Sequence, residues 1–299
     1  MYRPFFGLTA HPFGPTADPR FLYLTPQVRE VLSCLQFGIA SRKGFVVVTG
    51  EAGTGKTTLL KTVLGTFVKS RVSTAFVYNP RLEILDFLEY VLTDFGLTPT
   101  ARTKSGMLLQ LNSWLIERYK RAEVCVIVID EAHSLSAEML EEIRLLTNLE
   151  TSSEKLLQIV LCGLPELLDE LRYPSIHQRV ALWCQTAPLT REQTQEYIAE
   201  RLRIAGATQP VFTLEATDAA YRFSMGVPRV INLICDHALV DAYEQQIKPI
   251  HASVIVTVCK DLDLVRTPQS YKSTTDPQKA PWADFTPRPA AEPPKERGL

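Results

Sequence analysis

Short apolar runs alternate with longer amphipathic stretches through most of the chain. The apolar runs predict strands at 45–49, 73–79, 124–130, 155–162 and 183–187. Runs of this length, bounded by polar turns, are typical of strands that are covered on both faces. Strands that alternate with helices imply right-handed crossovers. The pattern therefore predicts an α/β fold, with a five-stranded parallel sheet flanked by helices.

Apolar residues recur at helical spacing between these runs. The predicted helices span 26–41, 56 to about 69, 82–96 and 106–122. Thr25 is a suitable cap for the first of them, and Pro26 suits its first turn. After Pro188 only helical patterns remain, at 190–206, 213–226, 227–246 and from His251. The sequence thus predicts a core at 26–189 and a small all-helical C-terminal lid domain at 190–264.

The two ends of the chain differ from this pattern. Residues 1–25 combine prolines with many aromatic residues, which predicts an ordered, extended N-terminal arm packed on a neighbouring surface. Residues 265–299 are rich in proline and polar residues and poor in aliphatic ones, which predicts a disordered tail. Trp282 and Phe285 in the tail leave a docking peptide open as an alternative to a merely solvated segment.

Charge and composition narrow the function. The 32 basic and 33 acidic residues nearly cancel, so no global field recruits a polyanion, and any nucleic-acid binding must be local. The six scattered cysteines form no metal-binding spacing and are interpreted as reduced core residues. No secretory signal is apparent, and the apolar run at 124–129 falls far short of the roughly 20 residues that cross a bilayer. We therefore expect a cytoplasmic protein without a transmembrane segment.

A glycine-rich turn joins the first predicted strand to the following helix. It fits the pattern G-x-x-x-x-G-K-[ST], in the strand-to-helix context that a phosphate-binding loop needs. Backbone N–H groups of such a loop surround a phosphate, the lysine adds a charge and the threonine hydroxyl binds Mg²⁺. The sequence predicts a P-loop NTPase whose nucleotide-binding residues are Gly50, Glu51, Ala52, Gly53, Thr54, Gly55, Lys56, Thr57 and Thr58.

Two carboxylates follow the third predicted strand. Asp130 is expected to hold Mg²⁺ together with Thr57, and Glu131 to orient and deprotonate the attacking water. The same tetrapeptide, DEAH at 130–133, occurs in nucleic-acid helicases, but the chain is too short for a second motor lobe. His133 is then expected to be solvated or locally hydrogen-bonded. The pair of motifs predicts hydrolysis of Mg-ATP.

Two arginines are candidates for contacts with the γ-phosphate. Arg179 precedes the fifth predicted strand, where it can project across a subunit interface as a catalytic finger. Arg229 lies in the helical region, where it can reach the nucleotide of its own chain. Surface arginines are common, and solvated side chains are the alternative for both.

The assembled motifs resemble the AAA+ ATPases of the ExeA type, a family that includes general secretion pathway component A and pilus-biogenesis proteins. The resemblance runs from about residue 3 to 264 and rests on an opening like FFGL…PF…DPRFLYL, followed by GEAGTGKTTLL, VIDEAHSLS, PEL at 165–167, Gln178-Arg179 and GVPRVIN. It implies a five-stranded sheet with a helical lid, Arg179 as the finger, Arg229 as the second sensor, and assembly into a ring or partial ring. Leu164 departs from the family at the first sensor, where relatives carry a polar residue. Longer relatives continue into a membrane helix and a peptidoglycan-binding module, and this chain has the proline-rich tail there instead.

Three functions remain open at this stage. The first is an ATPase that drives conformational change in a protein complex, such as a secretion, pilus or polysaccharide-export machine at the inner membrane, with peripheral attachment through a partner. The second is a DNA-associated regulatory ATPase of the transposition or initiator type, for which basic segments at 42–43, 69–71 and 118–121 are candidates. The third is a nucleotide-gated scaffold with negligible turnover, which Leu164 keeps open.

Overall fold

The computed structural model describes residues 1–67 and 71–264. Its centre is one sheet of five parallel strands in the order β2-β3-β4-β1-β5. This confirms the predicted fold class. The strands are β1 (Phe45–Gly50), β2 (Val72–Val77), β3 (Val124–Ile129), β4 (Leu157–Gly163) and β5 (Val180–Thr186).

Helices cover both faces of the sheet because alternate strand residues point to opposite sides. Val46 and Val48 of β1 pack in one cluster with α2 and α3, whereas Val47 packs in another with α4, α5 and α6. The two clusters form the core on either side of the sheet. The helices on the two faces of the sheet are α2 (Pro26–Ala40), α3 (Lys56–Thr66), α4 (Ile84–Asp94), α5 (Lys104–Lys120) and α6 (Ala137–Leu146). Two short helices, α7 (Leu167–Glu170) and α8 (Pro174–His177), precede β5.

The boundaries of the predicted elements lie within about three residues of the prediction, and β5 and α3 show the largest differences. Strand β5 begins at Val180, three residues before the predicted start, because it is an edge strand whose first residues alternate between partial and full exposure. Such alternation does not produce the continuous apolar run on which the prediction relied. Helix α3 ends at Thr66, and residues 68–70, which the predicted helix includes in part, lie outside the described residues.

Within the described residues, four helices follow the sheet and contribute most of a third apolar cluster. The all-helical C-terminal region is therefore confirmed, while the exact domain limits at 189–190 and 264 stay predictions. The predicted tail, 265–299, with Trp282 and Phe285, lies outside the described residues. The four helices are α9 (Arg191–Ile204), α10 (Leu214–Ser224), α11 (Pro228–Glu244) and α12 (Ala252–Asp261).

The N-terminal segment packs on this helical region and is not extended throughout. Residues Tyr2–Phe6 form a short helix, α1, and 19–21 form a 3₁₀ turn. Pro4 is compatible with α1 because a proline in the first turn sacrifices no helical hydrogen bond. The segment inserts five apolar side chains into the same cluster as α9–α12: Tyr2, Phe6, Leu8, Phe13 and Phe21. These contacts hold the two ends of the described chain together.

Arg201 on α9 is the principal polar link to this segment. Its side chain is only 7% exposed. The guanidinium donates to the carbonyl of Pro12 and to the Tyr197 hydroxyl, and it lies against the rings of Phe13, Phe21 and Tyr197. A buried cation needs such partners because an unpaired buried charge is costly.

No helix within the described ranges is both long enough and apolar enough to cross a membrane.

Candidate active site

The glycine-rich loop leaves the carboxyl end of β1, next to the last residue of β5. Gly50 lies so close to Thr186 that a Cβ on Gly50 would come within 2.0 Å of the Thr186 hydroxyl oxygen. The same hydroxyl lies 2.8 Å from that of Thr54. Gly53 has a φ of +79°, which disfavours other residues at this turn. The backbone thus turns sharply into the amino terminus of α3, where N–H groups are free to bind an anion.

Lys56 is held inside this loop. Its Nζ donates to the carbonyl oxygens of Gly50 at 2.8 Å and Glu51 at 3.0 Å, and the residue is only 8% exposed. Among the residues that the structure describes, no carboxylate forms an ion pair with Lys56. A buried cation that is solvated only by carbonyls is well suited to an anionic ligand. The loop therefore fits a phosphate group.

Asp130, which follows β3, contacts Thr57 in the first turn of α3. The Thr57 hydroxyl donates to the Asp130 carboxylate at 2.6 Å, and the other carboxylate oxygen accepts from the N–H of Glu131 at 3.0 Å. Asp130 is 4% exposed. A hydroxyl and a carboxylate are hard oxygen donors of the kind Mg²⁺ prefers. The pair fits a magnesium ion next to the phosphate loop.

Glu131 has a left-handed backbone, with a φ of +54°, and a side chain that is 58% exposed. Non-glycine residues in this conformation are uncommon and concentrate at functional positions. Its carboxylate Oε2 lies 3.5 Å from Nδ1 of His133. The N–H of Leu164, at the end of β4, points to the same nitrogen at 3.4 Å. His133 is thus a locally bonded residue between Glu131 and β4, and Leu164, at the position of the first sensor, contacts it through a backbone N–H and not through a polar side chain.

Glu131, Leu164 and the loop line a cavity of about 900 Å³, a size within the usual range for small-molecule sites. Much of its opposite wall comes from residues that the sequence analysis did not single out. The N-terminal segment and α2 contribute one part, and α9 and α11 contribute another. The composition indicated an ordered N-terminal segment, but no motif spacing linked that segment to the loop. The lining residues from this segment and from the helices include Phe13, Phe21, Tyr23, Val28, Tyr197 and Asn232.

Arg229 lies against the loop in the same chain, while its contact with a nucleotide stays a prediction. It occupies the first turn of α11, and its N–H donates to the carbonyl of Gly53 at 3.1 Å. A Cβ on Gly53 would approach the Arg229 Cβ to 2.8 Å. The structure therefore brings Arg229 to the cavity that the loop lines.

Arg179 lies at the amino end of β5, whereas the loop lies at the carboxyl end of β1. Arg179 immediately precedes β5, whose first residue, Val180, pairs with Phe45, whereas Thr186 pairs with Gly50. Six residues of strand place Arg179 about 20 Å from the loop of its own chain. Its Nη1 donates to the Asn148 side-chain oxygen at 2.7 Å. Arg179 is not part of the cavity within one chain.

Comparison with known proteins agrees with this geometry. The family model described as the AAA domain matches residues 39–171, which include the loop, Asp130 and Glu131. These residues form an AAA domain, and the chain is an ATPase. This ATPase is 38% identical over 247 residues to "General secretion pathway protein A" of Aeromonas hydrophila. The match covers 81% of this chain and 45% of that protein, so the chain spans less than half the length of this relative. The predicted resemblance to the ExeA type is confirmed.

Solved structures show the same fold at low sequence identity. This ATPase aligns with Cdc6p of Pyrobaculum aerophilum with a TM-score of 0.69 and 15% identity, covering 84% of this chain and 70% of that one. ORC2 of Aeropyrum pernix aligns with a TM-score of 0.61 and 15% identity, over 82% and 71% of the two chains. A RuvB mutant of Thermotoga maritima aligns with a TM-score of 0.54 and 16% identity, over 79% and 69%.

Proposed function

We propose that this ATPase binds Mg-ATP in the cavity at the end of β1 and couples its hydrolysis to conformational change in a protein complex. The observation that carries the proposal is the Thr57–Asp130 contact of 2.6 Å beside the buried Lys56, with the exposed Glu131 at the cavity wall. Phosphate binding, metal binding and a general base meet at one point.

The residues divide the reaction among them. The loop amides and Lys56 bind the phosphates, and the oxygens of Thr57 and Asp130 hold the metal. Mg²⁺ supplies neutralisation of charge on the phosphate oxygens when it is bound. The Glu131 carboxylate orients a water molecule and accepts its proton, for which its exposure leaves room. The aromatic residues of the N-terminal segment provide an apolar surface for the base of the nucleotide.

The two arginines take different sites. Arg229 contacts the nucleotide of its own chain and reports its state to the C-terminal helices. Arg179, about 20 Å from its own loop, completes the site of a neighbouring copy in a ring or partial ring. Asn148 holds its guanidinium in place in the single chain. The shared site makes hydrolysis dependent on assembly.

The protein complex that this motor acts on is proposed from the relative. The name of the Aeromonas hydrophila protein places that protein in a general secretion pathway. We propose a secretion, pilus or polysaccharide-export complex at the inner membrane, with the ATPase on the cytoplasmic side and attached through that partner. Co-purification of the full chain with candidate membrane complexes in the presence of ATP tests the assignment; an interaction that is unchanged in Lys56→Ala argues against a nucleotide-driven role.

A DNA-associated regulatory role is the second candidate, and one observation favours it. Arg71, the described residue of the basic segment at 69–71, lies beside the other two basic segments at the end of the sheet opposite the cavity. Arg71 donates to the carbonyl of Arg121, and Arg42 donates to that of Glu123. Ion pairs with Glu123 and Glu154 neutralise part of this surface, which makes it the weaker candidate.

Hydrolysis assays distinguish the motor, the DNA-associated ATPase and the nucleotide-gated scaffold. Phosphate release is measured for the wild type, Lys56→Ala and Glu131→Gln, with and without duplex DNA at increasing salt. Stimulation by DNA that falls steeply with salt favours the DNA-associated role. Wild-type turnover no higher than that of Glu131→Gln favours a nucleotide-gated scaffold and overturns the motor.

A further inference from the structure

Helix α2 packs along the edge strand β5 in a defined register. At one end of the contact, the Gln27 side-chain amide donates to the carbonyl of Gln185 at 3.1 Å. At the other end, Gly38 approaches Leu182 so closely that a Cβ on Gly38 would lie 2.9 Å from the Leu182 Cδ1. The amino end of the helix therefore lies beside the carboxyl end of the strand, and the two elements run in opposite directions.

This register places two cysteines face to face. Cys34 lies one turn before Gly38, a rise of about 6 Å along the helix. Cys184 lies two residues after Leu182 and on the same face of the strand, an advance of about 7 Å. Since the two displacements match, Cys34 of α2 meets Cys184 of β5. Cys184 belongs to the apolar cluster between α2 and the sheet, and Cys34 packs against that cluster, so the two thiols lie in one environment and each affects the pKa of the other.

The two thiols differ from the other four cysteines. Cys34 is partly exposed, whereas the other five are buried. Hydrogen bonding between the two thiols lowers the pKa of Cys34, against the opposing effects of burial and of the nearby Glu30 carboxylate. The same interaction, together with burial, raises the pKa of Cys184. Burial raises the pKa of the remaining thiols, which keeps them protonated and unreactive; they are Cys125, Cys162, Cys235 and Cys259. A partly exposed thiol with a lowered pKa beside a second thiol is the arrangement found at redox-active cysteines.

We propose that Cys34 and Cys184 are a redox-active pair, in which a hydroperoxide oxidises Cys34 and Cys184 then closes a disulfide between α2 and β5. In the first step the Cys34 thiolate attacks the terminal oxygen of the peroxide and the O–O bond breaks. The leaving hydroxide or alkoxide takes a proton and departs as water or an alcohol. Cys34 becomes a sulfenic acid, oxidised by two electrons. In the second step Cys184 attacks the Cys34 sulfur, the S–O bond breaks, and the Cys184 proton leaves with the hydroxyl as water. A dithiol reductant restores both thiols.

The disulfide acts on the wall of the nucleotide cavity. Cys184 lies two residues before Thr186, whose hydroxyl contacts that of Thr54 in the loop. Gln27 and Val28 at the start of α2 line the same cavity. A covalent bond between α2 and β5 restricts the relative movement of these two walls, so nucleotide exchange becomes slower. This second consequence rests on the proposed nucleotide site, whereas formation of the disulfide does not.

Peptide mapping of the full chain tests the pair. The reduced protein is treated with a small excess of hydrogen peroxide, alkylated, digested without reductant and analysed by mass spectrometry. We expect a peptide crosslinked through Cys34 and Cys184, lost after dithiothreitol, and two fewer alkylated thiols out of six after denaturation. Cys184→Ser should instead retain a sulfenic acid on Cys34 that dimedone traps. Peroxide-treated protein in which Cys34 still alkylates freely, or forms only crosslinks between chains, overturns the proposal.

Release of a fluorescent ADP analogue tests the consequence for the cavity. Oxidised wild type should release it several-fold more slowly than reduced protein, and dithiothreitol should reverse the change. Cys34→Ser, a near-isosteric change outside the cavity, should bind the analogue normally, and peroxide should not change its rate of release. A mapped crosslink with unchanged release refutes control of the cavity. If reduced wild type does not bind the analogue at all, the proposed nucleotide site fails, and peptide mapping still decides whether the pair exists.

Discussion

The hydroxyl of Thr57 donates to the carboxylate of Asp130 at 2.6 Å, across 73 residues of sequence. The two residues follow different strands, β1 and β3, which are separated in the sheet by β4. Because the carboxyl ends of parallel strands meet at one edge, residues on strands that are not hydrogen-bonded to each other still reach a common point. The contact joins the phosphate loop to the proposed metal and water-activating residues.

Asp130→Asn is expected to remove most of the increase in ATP affinity that magnesium provides. The amide keeps the shape of the side chain and an oxygen for Thr57, but it loses the charge that attracts a divalent cation. ATP affinity in the presence of Mg²⁺ should fall at least about tenfold, or about 1.4 kcal/mol, with little change in EDTA. Isothermal titration calorimetry measures both. Asp169→Asn, at an exposed carboxylate, is the control, and an equal loss in EDTA would contradict a metal-binding role.

Glu131→Gln is expected to separate binding from hydrolysis. The glutamine retains the size of the side chain but cannot accept a proton from water, so turnover should fall by about 10²–10⁴-fold, while ATP still binds. Steady-state phosphate release and nucleotide titration measure the two properties. Glu138→Gln, at an exposed position on α6, should behave as the wild type. Normal turnover in Glu131→Gln would remove Glu131 from the reaction.

Arg179→Ala is expected to bind ATP and hydrolyse it poorly, because Arg179 lies too far from its own loop to act there. Turnover should fall by about 10³-fold or more if the finger is supplied in trans. Mixing this variant with Glu131→Gln should restore activity, since one hybrid interface combines an intact Glu131 with an intact Arg179.

The mixing experiment has a matched control. Arg172→Ala removes another exposed arginine, one that pairs with Asp169 between α7 and α8, and should retain activity without mixing. If Arg179→Ala is inactive and assembly is demonstrated, yet mixing restores nothing, then Arg179 does not serve a neighbouring site.

Arg201→Gln is expected to destabilise the protein and open the cavity wall. The change removes charge-assisted hydrogen bonds and ring contacts at a side chain that is 7% exposed, for a loss of about 2–3 kcal/mol in the free energy of unfolding. Urea denaturation measures the loss. Arg203→Gln is the control on the same helix, because that side chain is 69% exposed and pairs only with Glu200 at the surface. Equal stability of the two variants would show that the N-terminal segment does not depend on Arg201.

The parts of the site that the sequence predicted are those with a local signature. The loop at 50–58 and the Asp130–Glu131 pair each combine a motif with an adjacent apolar strand, and parallel packing brings such strand ends together. Arg229 was predicted through the family resemblance, and the structure brings it to Gly53. The start of β5 was placed too late because an edge strand alternates in exposure.

The parts that could not be predicted depend on tertiary contacts. The N-terminal segment reaches the cavity because Arg201 binds the Pro12 carbonyl and the surrounding rings, and nothing in the residues before 25 specifies that partner. The contact between Leu164 and His133 runs through a backbone N–H, which the side-chain pattern does not reveal. The pairing of Cys34 with Cys184 likewise depends on how α2 lies along β5.

The docking of the N-terminal segment on α9–α12 also sets an order of assembly during synthesis. The residues of this segment leave the ribosome before the C-terminal helices that are their packing partners. Domains otherwise tend to fold from the amino terminus as the chain is made. The nascent chain must therefore carry the aromatic side chains of this segment unburied until the C-terminal helices have emerged, and only then can the cavity wall that the segment provides be completed.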